Sequence, residues 1–283
     1  MARSAAVAGR FYPNCGIELR AELDLLNGAF SDVKARVVVG LMSPHAALAY
    51  SGAVAAATYA RAIVPDRVIV LSPNHTGLGA SVAVAKHGPF VTPMGNVPLD
   101  EEMSRRIADN CPEAVLDDLA HAEEHGVEVQ LPFLLSRNPA LRLTAICLRT
   151  MSCSLAESIG SVVAEIVRDC GEPVLIVASS DLNHHEPRRV AARKDRMVLE
   201  RLTALDPRGL YAAAVEHHVS MCGLVPAVAM LSAARALGGR STEIAAYGCS
   251  GDVNGDDSNV VGYAGVLISV DRRLDIIRSF QIH

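Results

Sequence analysis

The sequence predicts an α/β fold: a single-domain α/β/α sandwich around a mixed, mostly parallel central sheet. Continuous apolar runs rich in valine, isoleucine and leucine alternate along the chain with segments of helical periodicity. This alternation is typical of a sheet whose two faces are covered by helices. No Gly/Ser/Pro-rich linker, repeat or low-complexity segment divides the 283 residues, so we predict one domain over residues 1–283.

The order of the predicted elements follows from the same patterns. Short runs of β-branched and aliphatic residues predict strands over 36–42, 67–72, 81–85, 142–148, 173–178, 243–247 and 260–269. Apolar residues at helical spacing predict helices over 52–63, 99–109, 155–169, 188–203 and 224–237. Only a short glycine-containing loop separates the second strand from the third, which favours an antiparallel direction for the third.

Composition and charge exclude several classes of function. A net charge of −5 and a sequence pI near 6.1 argue against a surface that follows nucleic-acid phosphates. Residues 37–60 contain no Asp, Glu, Lys or Arg, but the Ser-Pro-His inside them favours a strand, a loop and an Ala-rich helix over a membrane span. Seven scattered cysteines without a CxxC pair, and an apolar run at the start that is too short for a signal peptide, predict reduced thiols in a cytoplasmic protein.

Three predicted strands end in a comparable way, with small residues followed by a histidine. Ser-Pro-His45 follows VVVGLM, Ser-Pro-Asn-His75 follows VIVL, and Ser-Ser-Asp181-Leu-Asn-His184 follows VLIVA. In sheets of this type, ligand sites collect beyond the carboxyl ends of the strands. We therefore expect these histidines to meet at one edge of the sheet, although a single histidine of this kind is more often a surface or satisfied core residue.

Cys222 differs from the other cysteines by its position. Periodic apolar residues from Leu224 to Leu237, with Pro226 in the first turn, predict a helix that begins just after it. The helix dipole and the free N–H groups at such a terminus favour a thiolate and lower the thiol pKa from about 8.5. The sequence therefore predicts Cys222 as a ligand or nucleophile, the alternative being a buried structural thiol.

A second histidine pattern is HAEEH, residues 121–125, which matches H-x-x-E-H. Such a pattern can place two zinc-binding histidines one helical turn apart, but a glycine and two valines directly after it disfavour a continuing helix. The alternative is the polar start of a helix in which Glu124 or Glu128 pairs with a neighbour.

Taken in order, these motifs resemble those of the MEMO family, known in bacteria as AmmeMemoRadiSam system protein B. The resemblance covers nearly the whole chain through AGRFYP, SPHAALAYSG, SPNHTG, EHGVEVQLPFL, SSDLNHH, SMCG and GDDSNVVGYAGVL. It implies a fold like that of the class III extradiol dioxygenases, which hold a non-heme Fe(II). It also implies AMMECR1-like and radical-SAM proteins as partners.

The resemblance further implies roles for individual residues. The metal ligands of the family correspond to His45, His75 and Cys222. The flanking positions that we expect to take part in catalysis are Asp181, His184 and His125. The chain departs from the family pattern in two places: Ala-Leu at 47–48 replaces Gly-Tyr, which changes the substrate contacts expected there, and Gly126 replaces a serine.

Two imidazoles and a thiolate suit iron, zinc or copper and are poor ligands for magnesium or calcium. Three protein ligands leave one position open for water, dioxygen or substrate. We therefore predict a divalent metal, Fe(II) first and zinc or copper as alternatives, and an unidentified small-molecule substrate. In this interpretation His184 moves a proton near neutral pH, and Asp181 fixes a ligand or a water.

Three functions remain open at this point. The first is a metal-dependent oxidoreductase of dioxygenase-like build, although the dioxygenases use two histidines and a glutamate where this chain has a cysteine. The second is a hydrolase that uses a zinc-bound water or a Cys222–His pair. The third is a metal-binding or protein-interaction module without turnover, because a fold does not by itself imply an activity. Assembly into a homo-oligomer is also left open.

Overall fold

The computed structural model describes residues 2–270. Its strands are β1 Gly40–Ser43, β2 Arg67–Pro73, β3 Val82–Val84, β4 Phe90–Thr92, β5 Gly95–Val97, β6 Ala114–Leu116, β7 Arg142–Leu148, β8 Val174–Ser179, β9 His184–Glu186, β10 Gly239–Cys249 and β11 Val260–Val270. Its helices are α1 Gly16–Gly28, α2 Leu48–Tyr59, α3 Glu101–Asn110, α4 His125–Glu128, α5 Leu131–Arg137, α6 Cys153–Asp169, α7 Arg188–Thr203, α8 Pro207–Glu216, α9 Leu224–Ala236 and α10 Gly251–Asn254, with a 3-10 turn at Leu119–His121.

A nine-stranded mixed sheet forms the centre, in the order β10-β11-β1-β8-β2-β7-β3-β6, with β9 paired to β11. The strands β1, β8, β2 and β7 lie side by side and run parallel. Antiparallel pairing adds β11 to β1 on one side and β3 to β7 on the other. The predicted mixed sheet with a parallel centre is therefore confirmed, including the reversed direction of β3.

Helices cover both faces of this sheet. On one face α6 and α9 pack together, and α9 lies against β1, β8 and β2 through residues such as Met230 and Ile176. On the other face α2 and α5 meet through Tyr59 and Phe133, whose rings stack with their centroids 5.6 Å apart. Both faces bury aliphatic side chains from the same strands, as expected for strands that are apolar throughout. The α/β/α sandwich is confirmed.

The parallel register aligns the strand ends that the sequence singled out. Ser43, the last residue of β1, pairs in register with Ser179, the last residue of β8. Next to β8, β2 runs one residue past this level and ends at Pro73. The loops after these three strands therefore leave the sheet at the same edge, where α/β proteins place their ligand sites.

Some boundaries differ from the prediction. The helix expected over 52–63 begins four residues earlier at Leu48, and the sequence patterns did not predict α1 or α8. The single domain predicted over 1–283 extends at both ends beyond the described residues. Within residues 2–270, every helix is too short or too polar to cross a membrane.

Candidate metal centre

His45 lies two residues after the end of β1 and is held from two sides. Its backbone N–H donates to Asp181 Oδ1 at 2.8 Å, and its ring Nδ1 lies 2.9 Å from Ser179 Oγ. The residue is only 2% exposed. Both partners belong to the end of β8 or the loop after it, so the parallel pairing of β1 with β8 fixes the position of this imidazole.

His75 lies two residues after the end of β2 and is held by one carboxylate. Its backbone N–H donates to Glu124 Oε2 at 2.6 Å, and its ring Nδ1 lies 2.7 Å from Glu124 Oε1. The same Oε1 accepts from the Gly126 N–H at 2.9 Å. Since the Glu124 side chain is 1% exposed while that of His75 is 31% exposed, the buried carboxylate anchors a ring that reaches toward solvent.

His125 begins α4 and lies against both neighbours. Its ring stacks on His75 with centroids 4.4 Å apart and 20° between the planes, and it meets His45 edge-on at 5.2 Å. Phe11 covers the ring at 4.9 Å. The ligand atoms of His45, His75 and His125 all lie within 4.8 Å of one another, a separation at which they could hold a metal ion.

Arg3 ties this region to the N-terminal segment. Its guanidinium forms a buried ion pair with Glu128 and donates to the carbonyl oxygens of His121 at 3.0 Å and Glu124 at 2.7 Å. The Tyr12 hydroxyl also donates to Glu128. The alternative interpretation of HAEEH, in which these glutamates pair with neighbours, therefore describes both of them.

Cys222 lies against Nε2 of the His45 ring. Its Sγ is 3.2 Å from His45 Nε2 and accepts a hydrogen bond from the Asp181 N–H at 3.3 Å. The thiol directly precedes Gly223, the N-cap of α9, as the sequence predicted. The expected lowering of its pKa is wrong, however: burial and then the Asp181 carboxylate raise the pKa of the Cys222 thiol above the ordinary value.

Asp181 and His184 flank the cluster from the loop after β8. Asp181 Oδ1 accepts the backbone N–H groups of His45 and Ala46, so its carboxylate holds the turn after β1 instead of a ring. His184 donates its backbone N–H to Ser220 Oγ at 2.8 Å, and its Nδ1 lies 2.9 Å from the Ser220 carbonyl oxygen. Burial raises the pKa of Asp181.

The electrostatics of the cluster favour neutral imidazoles beside a negative charge. Burial, followed by the nearby charge of His75, lowers the pKa of His45 to about 3. Burial also lowers the pKa of His125. Burial alone would raise the pKa of Glu124, but its contacts with His75, Gly126 and His125 bring it below the usual range. Uncharged ring nitrogens next to a carboxylate are suited to a cation.

His121 does not join this cluster. It is 2% exposed, its Nε2 lies 3.1 Å from the Ala83 carbonyl oxygen, and its Nδ1 lies 3.4 Å from Cys147 Sγ. His121 ends a 3-10 turn while His125 starts a separate helix, so the two rings do not form the one-turn pair of a zinc peptidase.

Two further residues of the site carried no functional signal in the sequence. Ser179 Oγ donates to the Gly126 carbonyl oxygen at 2.6 Å while it meets the His45 ring. Gln130 Nε2 donates to Ser179 Oγ at 2.8 Å and to the Pro44 carbonyl oxygen at 3.0 Å. Both residues lie inside motifs that carry the family resemblance, Ser179 in SSDLNHH and Gln130 in EHGVEVQLPFL, but the sequence assigned neither of them a role.

Comparison with known proteins adds three findings. Residues 3–267 match the family described as Memo-like protein. A MEMO1 family protein of Methanopyrus kandleri is 38% identical over 281 residues, covering 94% of this chain and 99% of the relative. A MEMO1 family protein of Aquifex aeolicus is 37% identical over 266 residues, with 94% and 98% covered.

Among solved structures, an uncharacterized protein of Escherichia coli K12 has a similar fold. The TM-score is 0.54 with 15% sequence identity, covering 81% of this chain and 99% of the other. At that identity the likeness concerns the fold alone. The sequence relatives carry the family assignment: by motif order, profile match and near full-length identity, this chain belongs to the Memo-like, or MEMO1, protein family.

Proposed function

We propose that this protein holds a divalent metal, Fe(II) first, through His45, His75 and Cys222, and acts as an oxidoreductase of dioxygenase-like build on a small molecule. Two observations support the proposal: the ring nitrogens of His45, His75 and His125 converge at the ligand-binding edge of the sheet, and the Cys222 thiol lies 3.2 Å from His45 Nε2. His45 is buried while His75 is partly open to solvent, so the centre is anchored on one side and accessible on the other.

The geometry of the neighbours supports Cys222 as the third ligand. Tetrahedral bonds of about 2.0–2.1 Å to nitrogen and about 2.3 Å to sulfur imply a nitrogen–sulfur separation of about 3.6 Å. The observed 3.2 Å between His45 Nε2 and Cys222 Sγ lies close to this value. His125 instead stacks nearly parallel to His75 with centroids 4.4 Å apart, so a metal in the plane of the His75 ring, where the lone pair of His75 lies, would be out of the plane of the His125 ring. We therefore place His125 beside the metal as a neighbour of the ligands.

Residues around such a metal would have separate roles. Bound Fe(II) supplies redox chemistry and an open coordination position. His184, whose Nδ1 faces the Ser220 carbonyl oxygen, keeps Nε2 free to accept or donate a proton. Asp181 fixes the backbone turn that carries His45.

A Cys–His hydrolase is the alternative that the 3.2 Å contact between Cys222 and His45 would favour. Such a pair acts as thiolate and imidazolium. Burial works against both charges here, because it raises the pKa of Cys222 and lowers the pKa of His45 to about 3. Zinc-dependent hydrolysis and metal binding without turnover are the remaining outcomes of the test.

Metal content after anaerobic purification tests the ligand set. We expect His45→Ala, His75→Ala and Cys222→Ser each to lose most of the metal, because three ligands leave no redundancy and an alcohol is a poorer ligand than a thiolate. His121→Ala is the matched control and should keep the metal, since its ring bonds to Ala83. Full metal content in Cys222→Ser would remove that residue from the ligand set and leave His125 as the third ligand.

Turnover separates the three functions. Dioxygen uptake with catechols by the iron-loaded protein supports the oxidoreductase, ester or amide cleavage by the zinc-loaded protein supports a hydrolase, and an occupied but inactive site supports a binding module. For the oxidoreductase we expect His184→Ala to retain the metal and to slow turnover by roughly 10²–10⁴-fold. His185→Ala is the control, because that side chain is exposed beside Asn259.

The resemblance also leads us to propose AMMECR1-like and radical-SAM proteins as partners and the cytoplasm as location. Affinity purification of the tagged chain from its own host tests the partners, and fractionation of the same cells tests the location. If neither partner class were recovered, the proposed partners would be wrong and the proposed metal chemistry would be unaffected.

A further inference from the structure

A neutral imidazole has one N–H and one lone pair, and only the nitrogen with the lone pair can bind a metal. Which nitrogen that is depends on the partner of the other one. At this site the Nδ1 atoms of His45 and His75 each face an oxygen of the protein. The hydrogen-bond chains behind those oxygens therefore decide the tautomers.

For His45 the deciding residue is Ser179. The Ser179 hydroxyl has a single hydrogen, which it donates to the Gly126 carbonyl oxygen at 2.6 Å. Its Oγ already accepts from Gln130 Nε2 at 2.8 Å and can only accept again from the ring at 2.9 Å. His45 must then carry its hydrogen on Nδ1, and the lone pair on Nε2 faces Cys222.

For His75 the deciding residue is Glu124. An ionised carboxylate only accepts hydrogen bonds, so the ring must donate Nδ1–H to Oε1 at 2.7 Å. The second oxygen is engaged by the His75 backbone N–H, and Oε1 also takes the Gly126 N–H. The lone pair of His75 therefore lies on Nε2, the outer nitrogen of the ring.

We propose that Glu124 and Ser179 are positioning residues that fix His75 and His45 as Nδ1–H tautomers, so that both rings present Nε2 to a metal. The two hydrogen-bond chains meet at Gly126, whose N–H donates to Glu124 and whose carbonyl oxygen accepts from Ser179. One peptide segment thus links the orientation of both rings. The inference rests on the proposed function for its use of His45 and His75 as ligands.

Glutamine at position 124 is the sharpest perturbation. Both carboxylate oxygens accept from N–H donors, whereas an amide has one oxygen and one NH₂. Either orientation of the amide sets a donor against a donor, at the His75 backbone or at its ring. Conflict at the ring would be relieved by moving the imidazole hydrogen to Nε2, the tautomer that cannot bind a metal through that atom.

The first measurement needs no variant and no metal. Imidazole ¹⁵N chemical shifts and long-range ¹H–¹⁵N correlations of the metal-free full-length protein report which ring nitrogen is protonated. We expect Nδ1–H for His45 and His75. An Nε2–H form of either ring would overturn the proposal for that ring, whichever metal the protein prefers and whether or not it turns over a substrate.

The second measurement uses Glu124→Gln and Ser179→Ala. We expect each to weaken metal binding by roughly 10–100-fold in chelator competition, the usual cost of losing a partner of a metal-bound histidine. Glu124→Gln should alter the signals of His75, and Ser179→Ala those of His45. Glu123→Gln is the matched control, because that side chain is exposed, and should change neither readout.

The outcomes separate this inference from the proposed function. Unchanged affinity and unchanged tautomers in both variants overturn the positioning roles even if the protein proves to be an iron oxidoreductase. Correct tautomers in a protein that retains no metal overturn the proposed function and leave the hydrogen-bond assignment intact. A variant that does not fold is replaced by the other, since each ring is read independently.

Discussion

Two histidine–carboxylate pairs in this protein have nearly the same local geometry and different surroundings. His75 Nδ1 lies 2.7 Å from Glu124, and His87 Nδ1 lies 2.7 Å from Asp118. In both pairs the carboxylate also accepts the backbone N–H of the same histidine. Bond length and hydrogen-bond pattern therefore do not distinguish a candidate metal ligand from an ordinary surface histidine.

Burial and convergence do distinguish them. The Glu124 side chain is 1% exposed, whereas that of Asp118 is 45% exposed. The His75 ring lies against those of His45 and His125, while within the described part of the chain no second histidine ring lies against His87. A carboxylate orients the imidazole that it binds in either place, but only where several ligands converge can that orientation serve a metal.

The largest expected effect compares the two histidines directly. His75→Ala should reduce the metal affinity by on the order of 100-fold or more, because it removes a ligand whose partners alone contribute 10–100-fold. His87→Ala should leave the affinity unchanged. Chelator competition on both variants makes the measurement, and equal losses would mean that burial and convergence are poor guides to the site.

The sequence predicted the fold and the position of the site better than its inner contacts. Strand ends can be located from apolar runs, and parallel strands must bring those ends to one edge, so the neighbourhood of His45, His75 and His184 was predictable. The sequence could not predict that His125 joins the cluster and His121 does not. That difference depends on a 3-10 turn that ends at His121 and brings its ring to the Ala83 carbonyl oxygen. The role of Ser179 depends on which atoms its hydroxyl meets, which no spacing rule encodes.

The pKa expectation for Cys222 was wrong for a related reason. A helix N-terminus can be predicted from sequence, and it lowers the pKa of a thiol by up to a few units when that thiol is near solvent. Burial and the charge of Asp181 act in the opposite direction, and Asp181 is 41 positions away in the chain. Tertiary contacts decided the sign of the shift.

A third carboxylate sharpens the comparison, because among residues 2–270 no histidine pairs with it. Asp195 on α7 is fully buried and accepts the Asn183 N–H and the Tyr247 hydroxyl, each at 2.9 Å. Burial raises its pKa to about 6, against the lowered pKa of Glu124. The folded state therefore keeps this proton at a pH where the unfolded chain has lost it.

The sign of the resulting pH dependence follows. The contribution of Asp195 to the free energy of unfolding is complete below about pH 4 and is lost as the pH rises through 6, about 2–3 kcal/mol for a shift of this size. Asp195→Asn cannot ionise, so wild type should lose that amount relative to the variant between pH 4 and 7 in urea titrations. Tyr247→Phe removes one donor to Asp195 and should move the window to higher pH. If the difference in free energy of unfolding between wild type and Asp195→Asn did not change with pH, the raised pKa of Asp195 would be contradicted.

The smallest expected effect is at the exposed pair. Burial alone would raise the pKa of Asp118, but hydrogen bonds from the His87 N–H, its ring and the Lys86 N–H lower it. Exposed pairs contribute about 0.2–1 kcal/mol, and salt screens them. A double-mutant cycle of His87→Ala and Asp118→Asn should therefore give a coupling in that range at low salt and less in about 1 M salt.

The same cycle on His75 and Glu124 should give a larger coupling that salt changes little, because one partner is buried. If salt reduced both couplings equally, solvent would reach Glu124 as freely as Asp118, and the two pairs would differ only in their neighbours.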